Sequence, residues 1–484
     1  MKARVTYARG VIDRRELLHA FGIAGASTIL SACGGGGRVV KQTPQVRDEV
    51  RTWLRDAVAK LAAVYPVVHA LAVSRRRTTA GIDIVGNGIA RSRRDGVVLA
   101  VRDRDGQWRE HVTSELTAVG VAAAVRALAG RDPRPARVTF PAPPPKPPAP
   151  AIPDDVALEK RVHAITQGDT EMNSRIVYAA ALIDIDDATV WSISPQHDRE
   201  QRLVHVRKRA IRAAWAGTRP VVAEAVRGWL GNVDDFELGS KVQEATVAAL
   251  LLTTPGTFDD QEADVVLDPS VTANLIDSAV RAILTTSAAR RPEVMRRLAI
   301  NTNIAAPLLT LVDDPTVPSA YGGFAFDDEG QVASAQTLID EGRVVGVLGD
   351  GGRGRGRRPG HVGPVEAAPS HLRLAAGTAG WQTLRGNGFL LEGGQQTVFD
   401  PTTDRVVISA ARARVLQNGV DTGRVFADVE LVGTLASLLT GVAGVAKESD
   451  VVSYRDEIDG EPRWRSIEAP YLRTHGVVRM RRRA

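Results

Sequence analysis

Apolar side chains between residues 46 and 64 recur every three or four positions. This spacing places them along one face of a helix. The face consists of Val46, Val50, Leu54, Val58 and Leu61. A second helix is expected to begin at a cap formed by Thr113 or Ser114 and to end near Ala129. The first part of the chain is therefore predicted to begin and end with a helix.

Between these two helices the pattern changes to short strand-like alternation. The three runs span residues 69–73, 81–85 and 97–102. Asn87-Gly88 and Asp95-Gly96 are dipeptides that favour hairpin turns. We therefore predict an N-terminal domain over residues 46–130, in which the helices accompany an antiparallel sheet.

Residues 131–153 interrupt this pattern because ten of them are proline. A segment of this kind forms neither a regular helix nor a sheet, and it behaves as a semi-rigid extended spacer. We interpret it as a linker or surface loop between two folded parts of the chain.

Helical and strand-like patterns resume after the spacer. Helices are expected at 154–166, 236–253 and 270–286, and strands at 176–185, 189–193, 202–209 and 265–267. The run at 202–209 alternates basic and apolar residues, which predicts a strand with one solvated face. From residue 306 onward the chain is mostly strand-like with glycine turns.

These patterns predict the α+β fold class. The N-terminal helix and antiparallel-sheet domain is followed by a larger C-terminal domain with an extensive antiparallel β-sheet. We assign residues 154–260 to a middle region and residues 261–484 to the C-terminal domain.

Composition agrees with a soluble globular protein of two or three domains. The chain has 484 residues, of which 44% are hydrophobic and 24% are charged. The formal net charge of +6 comes mostly from arginines scattered along the sequence. Because nucleic-acid binding needs clustered positive charge, we expect no nucleic-acid partner.

The first 33 residues have the three parts of a secretory signal. A cationic stretch contains Arg14-Arg15, a pair typical of a twin-arginine export motif, and residues 21–30 form an uncharged, mostly apolar run. This run is far shorter than the ~20 residues needed to span a bilayer. Leu30-Ser31-Ala32-Cys33 resembles the bacterial lipobox, in which the cysteine is acylated.

We therefore predict a signal peptide over residues 1–33 and a glycine tether at 34–37. Arg14 and Arg15 are expected to act in export, and Cys33 to carry the lipid. The protein is then anchored by lipid at the periplasmic face of a membrane of the cell envelope, and the inner and outer membranes remain alternatives. The other interpretation of Cys33 is a buried cysteine that follows an N-terminal helix.

The sequence lacks the common catalytic motifs. No two of its nine histidines lie three to five residues apart, so no HExxH-type metal motif exists. No GxSxG motif is present, and the single cysteine lies in the signal. We therefore expect no metal ion and no cofactor.

The segment 351–356 is rich in glycine and arginine. It lacks the lysine of a phosphate-binding loop, and Pro359 follows where a helix would begin. The segment is either a flexible basic loop or a clamp for an anionic or carboxylate group.

An acidic cluster, Asp327-Asp328-Glu329, precedes a predicted hairpin that turns at Glu341-Gly342. Adjacent carboxylates can combine an acid of raised pKa with an ionised base. They are also common in solvated turns, and both interpretations stay open for this cluster.

The order of these motifs resembles the TldD/PmbA family, whose PmbA side is also called TldE. The cluster Phe326-Asp327-Asp328-Glu329-Gly330 is followed by a strand, turn and strand over 338–348 and then by the loop Pro359-Gly360-His361-Val362-Gly363. The segments 393–419 and 429–447 are similar to the hairpins and closing region of the family. The resemblance covers most of residues 46–455.

The resemblance also implies where a metal would bind. TldD-type members bind zinc through HExxxH on a helix and a later cysteine. The corresponding segments here, 268–274 and 444–448, contain neither histidine nor cysteine. The PmbA/TldE branch likewise lacks these ligands and keeps a Gly-His loop, which matches Gly360-His361.

The family precedent implies a hollow dimer in which an extended peptide adds to a sheet edge. We therefore expect a non-metal-binding, TldE-like subunit in peptide proteolysis or maturation, partnered by a TldD-like metallopeptidase subunit or by a second copy. One alternative is an active peptidase in which Asp327, Asp328, Glu329 and His361 converge. Another is an envelope interaction protein that has kept only the fold.

Overall fold

The structure is a computed structural model. It describes residues 45–83, 86–143, 150–166, 175–217, 219–289, 301–349, 356–358, 361, 363–458 and 461–481. Arg14, Arg15 and Cys33, with the predicted signal peptide and tether, lie outside the described residues. None of the helices in the described ranges is both long enough and apolar enough to cross a membrane.

The first half of the chain forms a six-stranded antiparallel sheet. Its strands are β1 (Val67–Asp83), β2 (Gly86–Arg102), β3 (Trp108–Thr113), β4 (Ile176–Ser194), β5 (His197–Ala216) and β6 (Arg219–Leu230). Their order across the sheet is β3-β2-β1-β4-β5-β6. Strands on both sides of the proline-rich segment 131–153 therefore belong to one sheet, and the described parts of that segment contain neither helix nor strand.

Strands β1 and β2 are longer than the sequence pattern predicts. The chain reverses between Asp83 and Gly86, and Gly96 is a mid-strand residue that pairs with Val73, so the turns expected at Asn87-Gly88 and Asp95-Gly96 are wrong. The arginine-rich middle of each strand interrupts the alternation of apolar and polar residues, so the pattern did not predict a continuous strand. Their guanidinium groups are paired with distant carboxylates such as Glu461, which local sequence cannot reveal.

Four helices cover one face of this sheet. They are α1 (Gln45–Ala62), α2 (Ala118–Ala129), α3 (Asp155–Thr166) and α4 (Ser240–Leu251). Leu54 of α1 packs with Leu99 and Trp191, and Leu158 of α3 packs with Ile183. Thr117 caps α2 through its hydroxyl, which accepts from the Gly120 N–H at 3.0 Å, instead of the predicted Thr113 or Ser114.

The opposite face of the sheet packs on the second half of the chain. Leu71, Val73 and Val190 point to this side and contact Phe326, since alternate residues of a strand face opposite ways. The predicted solvated face at 202–209 is also wrong, because both faces of β5 are covered, one by the helices and the other by the second half of the chain. The Lys208 ammonium is buried and donates to the Phe236 carbonyl at 2.9 Å, and Arg202 is paired with Asp187 at 2.6 Å.

The second half contains a ten-stranded sheet. Its strands are β7 (Gln261–Leu267), β8 (Leu311–Asp313), β9 (Gln336–Asp340), β10 (Arg343–Val344), β13 (His371–Leu374), β14 (Gly388–Asp400), β15 (Arg405–Gln417), β16 (Val420–Thr434), β17 (Gly444–Ile458) and β18 (Glu461–Met480). A separate short pair is formed by β11 (Gly356–Arg357) and β12 (Glu366–Ala367). The predicted hairpin turn at Glu341-Gly342 is confirmed, because β9 and β10 pair around it.

Strand β7 closes part of this sheet on itself. It pairs in parallel with β14 and antiparallel with β18, so β18, β16, β15, β14 and β7 form a ring. Helix α5 (Pro269–Ile283) follows β7 directly and buries Val271, Leu275 and Ala279 in the core of this half. Short helices α6 (Thr286–Ala289) and α7 (Leu435–Thr440) complete it. The α+β fold class is confirmed, with about 20% helix and 50% strand.

Candidate functional site

The acidic turn, residues 327–330, lies where the two halves of the molecule meet. Asp327 is only 1% exposed, so the cluster is a turn but not a solvated one. One carboxylate oxygen of Asp327 accepts from the backbone N–H groups of Glu329 at 3.0 Å and Gln331 at 2.8 Å. The other accepts from the Gly356 N–H at 3.0 Å. Burial nevertheless raises the pKa of Asp327 to about 6, because desolvation penalises the charged form more than these bonds favour it.

The acidic turn holds the arginine segment, residues 356–358. Asp328 donates its backbone N–H to the Gly356 carbonyl at 2.9 Å, and its carboxylate accepts from the Arg358 N–H at 2.6 Å. The Glu329 carboxylate lies against Gly356, where an added Cβ would come within 2.4 Å of Oε2. The described end of the basic loop is therefore fixed by the acidic cluster, and a side chain at 356 would displace Glu329.

His361 is placed against the six-stranded sheet. Its ring is 3.3 Å from the Ser114 hydroxyl and rests on Gly96, where an added Cβ would lie 2.1 Å from ring carbons. Burial lowers the pKa of His361, and Glu461 is the carboxylate that most opposes this shift. In the described part of the chain, no hydrogen bond joins His361 to Asp327, Asp328 or Glu329. The structure thus brings the carboxylates to the arginine segment and directs His361 to β2.

A buried serine–histidine relay was missed by sequence reasoning. The Ser192 hydroxyl is hydrogen-bonded to His69 Nε2 at 2.8 Å and to His197 Nε2 at 2.9 Å, and Ser194 is 3.0 Å from His197 Nδ1. Gly330 of the acidic turn covers it, because an added Cβ would lie 2.2 Å from His197 Nε2. Burial lowers the pKa of His69 to about 3 and that of His197 to about 4, so both rings are neutral at pH 7. The relay lies beneath Gly330 of the acidic turn.

The three residues of the serine–histidine relay lie in separate strands. His69 is in β1, Ser192 is in β4, and His197 opens β5, so only strand pairing brings them together. The sequence carries no spacing signal for such a group.

Asp268 and the first part of helix α5 form the segment in which the resemblance to the TldD/PmbA family implies the metal ligands of TldD-type members. Asp268 caps the helix by accepting from the Val271 N–H at 2.8 Å, and its second oxygen accepts from the Gly393 N–H at 2.9 Å. Tyr454 donates its hydroxyl to Asn274 at 2.8 Å, and Arg465 donates to both oxygens of Asp277 at 2.9 and 3.0 Å.

These contacts do not fit a zinc site. Zinc sites in proteins use imidazole, thiolate or free carboxylate ligands. On α5 the carboxylates of Asp268 and Asp277 are already committed to backbone N–H groups and to a guanidinium. Among the described residues there is no group of three or more His, Cys, Asp or Glu that could hold a metal ion.

Glu461 is the main charge link between the two halves near this site. Its side chain is 2% exposed and accepts from the Arg75 guanidinium of β1 and, at 2.9 Å, from Arg94 of β2. Both guanidinium groups come from the six-stranded sheet, whereas Glu461 opens β18. The carboxylate therefore connects the two sheets.

Comparison with known proteins agrees with this architecture. The model of the PmbA/TldA metallopeptidase C-terminal domain matches residues 260–479. A metalloprotease of Methanocaldococcus jannaschii is 24% identical over 220 residues, which are 43% of this chain and 48% of that protein. A metalloprotease of a Synechocystis species is 29% identical over 119 residues, which are 24% of this chain and 26% of that protein. The chain thus spans about half of the length of the first relative and about a quarter of the second.

Solved structures share this fold over about nine-tenths of the chain. TldE from Thermococcus kodakarensis superposes with a TM-score of 0.70 over 90% of this chain and 99% of that one, at 16% identity. Fold and C-terminal domain together define a protein related to metallopeptidases. The C-terminal domain, residues 260–479, belongs to the TldD/PmbA family, and the whole chain has the fold of TldE.

Proposed function

We propose that this protein is a TldE-like subunit that binds no zinc and acts in peptide proteolysis or maturation beside a TldD-like metallopeptidase subunit. The observation that carries the proposal is helix α5. In the segment 268–274, where the resemblance places the two histidines and the glutamate of a TldD-type member, this chain has none of these residues, and Asn274 is engaged with Tyr454 of β17. Farther along the helix, Asp277 is bound by Arg465 of β18. Without imidazole or thiolate ligands, no protein group holds a metal ion or lowers the pKa of its water.

In this proposal, the metal site lies in a partner subunit that has the histidine and cysteine ligands missing from this chain. The TldE structure supports this reading by fold alone. In the proposed pair, the partner supplies the metal and this chain supplies a second wall for an extended peptide, which pairs with a strand edge through its backbone. A homodimer is the other assembly that we consider.

An independent peptidase site at Asp327, Asp328, Glu329 and His361 receives less support. Asp327 is buried and accepts three backbone hydrogen bonds, and the His361 ring faces Ser114. Neither group is free to activate a water molecule.

Peptidase assays on the reconstituted pair test the proposal. The chain is expressed alone and together with an HExxxH-containing homologue from the same genome, and cleavage of an unstructured peptide is followed. We expect a stable complex whose chelator-sensitive activity exceeds that of either subunit alone. Chelator-sensitive cleavage by this chain alone would refute the proposal.

We further propose that the protein is exported and anchored by lipid at Cys33, on the periplasmic face of a membrane. The support is the sequence of the first 33 residues. Fractionation and labelling with a radioactive fatty acid should place the wild type in membranes and label it, whereas Cys33→Ala should be soluble and unlabelled. An unlabelled wild type would contradict the proposed anchor.

A further inference from the structure

A small cavity lies between the six-stranded sheet and the C-terminal half. Its volume is about 30 Å³, and its polar walls come from Arg75 of β1, the arginine segment and Trp464 of β18. The rest of the lining is largely apolar and includes Val73, Val190 and Phe326. We call this space the inter-sheet cavity.

The walls carry three buried N–H donors that have no acceptor among the described residues. They are Arg357 Nη1, Arg358 Nε and Trp464 Nε1. Each of these residues is at most 8% exposed. Buried donors without partners are costly, so native structures nearly always satisfy them by protein, water or ligand.

Other nitrogens of Arg75 and Arg358 are already in use. Arg75 binds Glu461, and Arg358 donates to Glu110 at 3.0 Å and to the Gly363 carbonyl at 3.0 Å. The Arg357 Nε lies 3.6 Å from Asp328, which is too long for a hydrogen bond, and its guanidinium stacks on Phe324 at 4.6 Å. The unpaired Arg358 Nε therefore cannot turn to these acceptors without breaking existing bonds, and Arg357 is the least engaged of the three guanidinium groups.

We propose that the inter-sheet cavity is a binding site for a small monovalent anion of the size of chloride. An anion accepts hydrogen bonds and donates none, which matches a wall of three donors. A water molecule would bring two O–H donors of its own, for which Asp328 is the one carboxylate among the described lining residues. Glu461 and Glu110 neutralise Arg75 and Arg358, so Arg357, 3.6 Å from Asp328, is the guanidinium that remains to attract the ion.

The volume fits this ligand. A cavity needs about 10–15 Å³ of space for the centre of a water-sized sphere to hold one buried water. By the same measure this cavity has about 30 Å³, which is enough for one chloride-sized ion. It is too small for sulfate or phosphate with their water shells. Apolar lining strengthens the attraction between the ion and the guanidinium groups, because the local dielectric constant is low.

A neighbouring cavity has the opposite character. Its volume is about 100 Å³, and it shares the wall residues Arg75 and Pro462 with the first. Here Asp186 supplies a buried carboxylate oxygen without a protein donor, in the described part of the chain, 3.8 Å from Arg75 Nε. Donor and acceptor together suit water. The side chain of Arg94 at this cavity is 53% exposed, so this cavity borders solvent.

The bound anion would connect elements that are distant in sequence. Arg75 belongs to the six-stranded sheet, whereas Arg357 and Trp464 belong to the C-terminal half. The ion is therefore expected to stabilise the contact between the halves. This inference does not depend on the proposed peptidase partnership.

Thermal unfolding at constant ionic strength tests the site. Chloride is exchanged for gluconate, which is too large to enter, and the Tm is followed. We expect the Tm of the wild type to rise with the logarithm of chloride concentration, as for any ligand that binds only the folded state. Arg357→Gln should lose this rise. Arg343→Gln, which removes an equal charge from an exposed position of β10, should keep it.

Trp464→Phe provides a second variant that retains the ring and its stacking on His205 at 3.9 Å while deleting the N–H donor. It should need a higher chloride concentration for the same Tm shift, even if Arg357→Gln fails to fold. Crystals grown in bromide should show one anomalous peak between Arg357 and Trp464. Equal Tm values in chloride and gluconate, or water density without an anomalous signal, would overturn the proposal.

Discussion

His69 and His197 are imidazoles that the folded protein keeps neutral, and Ser192 lies between them. A hydroxyl can donate to one ring and accept from the other, so the relay needs an unprotonated Nε2 on at least one ring and is broken when both rings are charged. Burial lowers the pKa of His69 to about 3 and that of His197 to about 4, against about 6.5 in an unfolded chain. Protonation is therefore coupled to unfolding at these two residues.

The coupling predicts a pH dependence of stability. Because the folded pKa values lie below the unfolded ones, the free energy of unfolding should fall as the pH drops from about 6.5 towards 4. The slope contributed by each histidine is at most about 1.4 kcal/mol per pH unit. Urea denaturation between pH 7 and 4 measures it, and His69→Gln should show a smaller slope than the wild type.

The exposed His163 provides the control, since His163→Gln should leave the slope unchanged. Asp327 acts in the opposite sense. Its raised folded pKa of about 6 means that its contribution to stability is lost as the pH rises from about 4 to 6. Comparing the wild type and the variant at each pH removes the contribution of Asp327, because both proteins contain it. Identical slopes for wild type and His69→Gln would show that burial does not keep the His69 ring neutral.

At the scale of elements, Asp268 does two things for helix α5. One oxygen caps the first turn at Val271, and the other holds Gly393 of β14. Asp268→Ala should therefore lower the free energy of unfolding by about 2–3 kcal/mol, which is more than the ~1 kcal/mol typical of a lost cap. Thr117→Ala is the matched control, because Thr117 only caps α2. Equal losses in chemical denaturation would contradict the linking role of Asp268.

The same elements show what could be predicted from sequence. Helix α5 was predicted nearly in full and the buried end of strand β7 was recognised, because their signals are local: a short apolar run, Asp268-Pro269 and helical spacing. Strands β1 and β2 were predicted only as fragments, since the charge partners of Arg75 and Arg77 lie near residues 457–461. Local pattern carries no information on pairs so far apart in the chain.

The same contrast between local signals and distant partners applies to the candidate site. The acidic turn was recognisable as a turn, but its burial was not, because the N–H groups that it binds come from the arginine segment nearly thirty residues later. The relay of His69, Ser192 and His197 depends on strand register, so it could not be predicted.

At the scale of the whole molecule, the two halves are linked by buried charge as well as by apolar contact. Glu461→Gln keeps the shape of the side chain but leaves Arg75 and Arg94 without their carboxylate. Breaking a buried ion pair from one side costs about 3–5 kcal/mol, so the free energy of unfolding should fall by roughly that amount. Chemical denaturation of Glu461→Gln, compared with that of a matched control variant, measures the effect.

Glu457→Gln is the matched control for this interface. Glu457 also binds arginines, Arg77 at 3.2 Å and Arg455 at 2.9 Å, but its side chain is 50% exposed. Exposed pairs contribute about 0–1 kcal/mol, so this variant should unfold almost like the wild type. A loss for Glu461→Gln no larger than that for Glu457→Gln would mean that the buried link does not stabilise the interface.

The proposed assembly depends on a single proposed property, that this chain forms no zinc site of its own. Helix α5 uses Asn274 and Asp277 to bind Tyr454 and Arg465, so these two side chains are already engaged.

Zinc content measured by mass spectrometry tests this most directly. The purified chain is equilibrated with excess zinc, dialysed and analysed beside an HExxxH-containing family member treated identically. We predict zinc no higher than in the dialysis buffer for this chain and about one ion per chain for the control. One zinc per chain in this protein, retained through dialysis, would contradict the account.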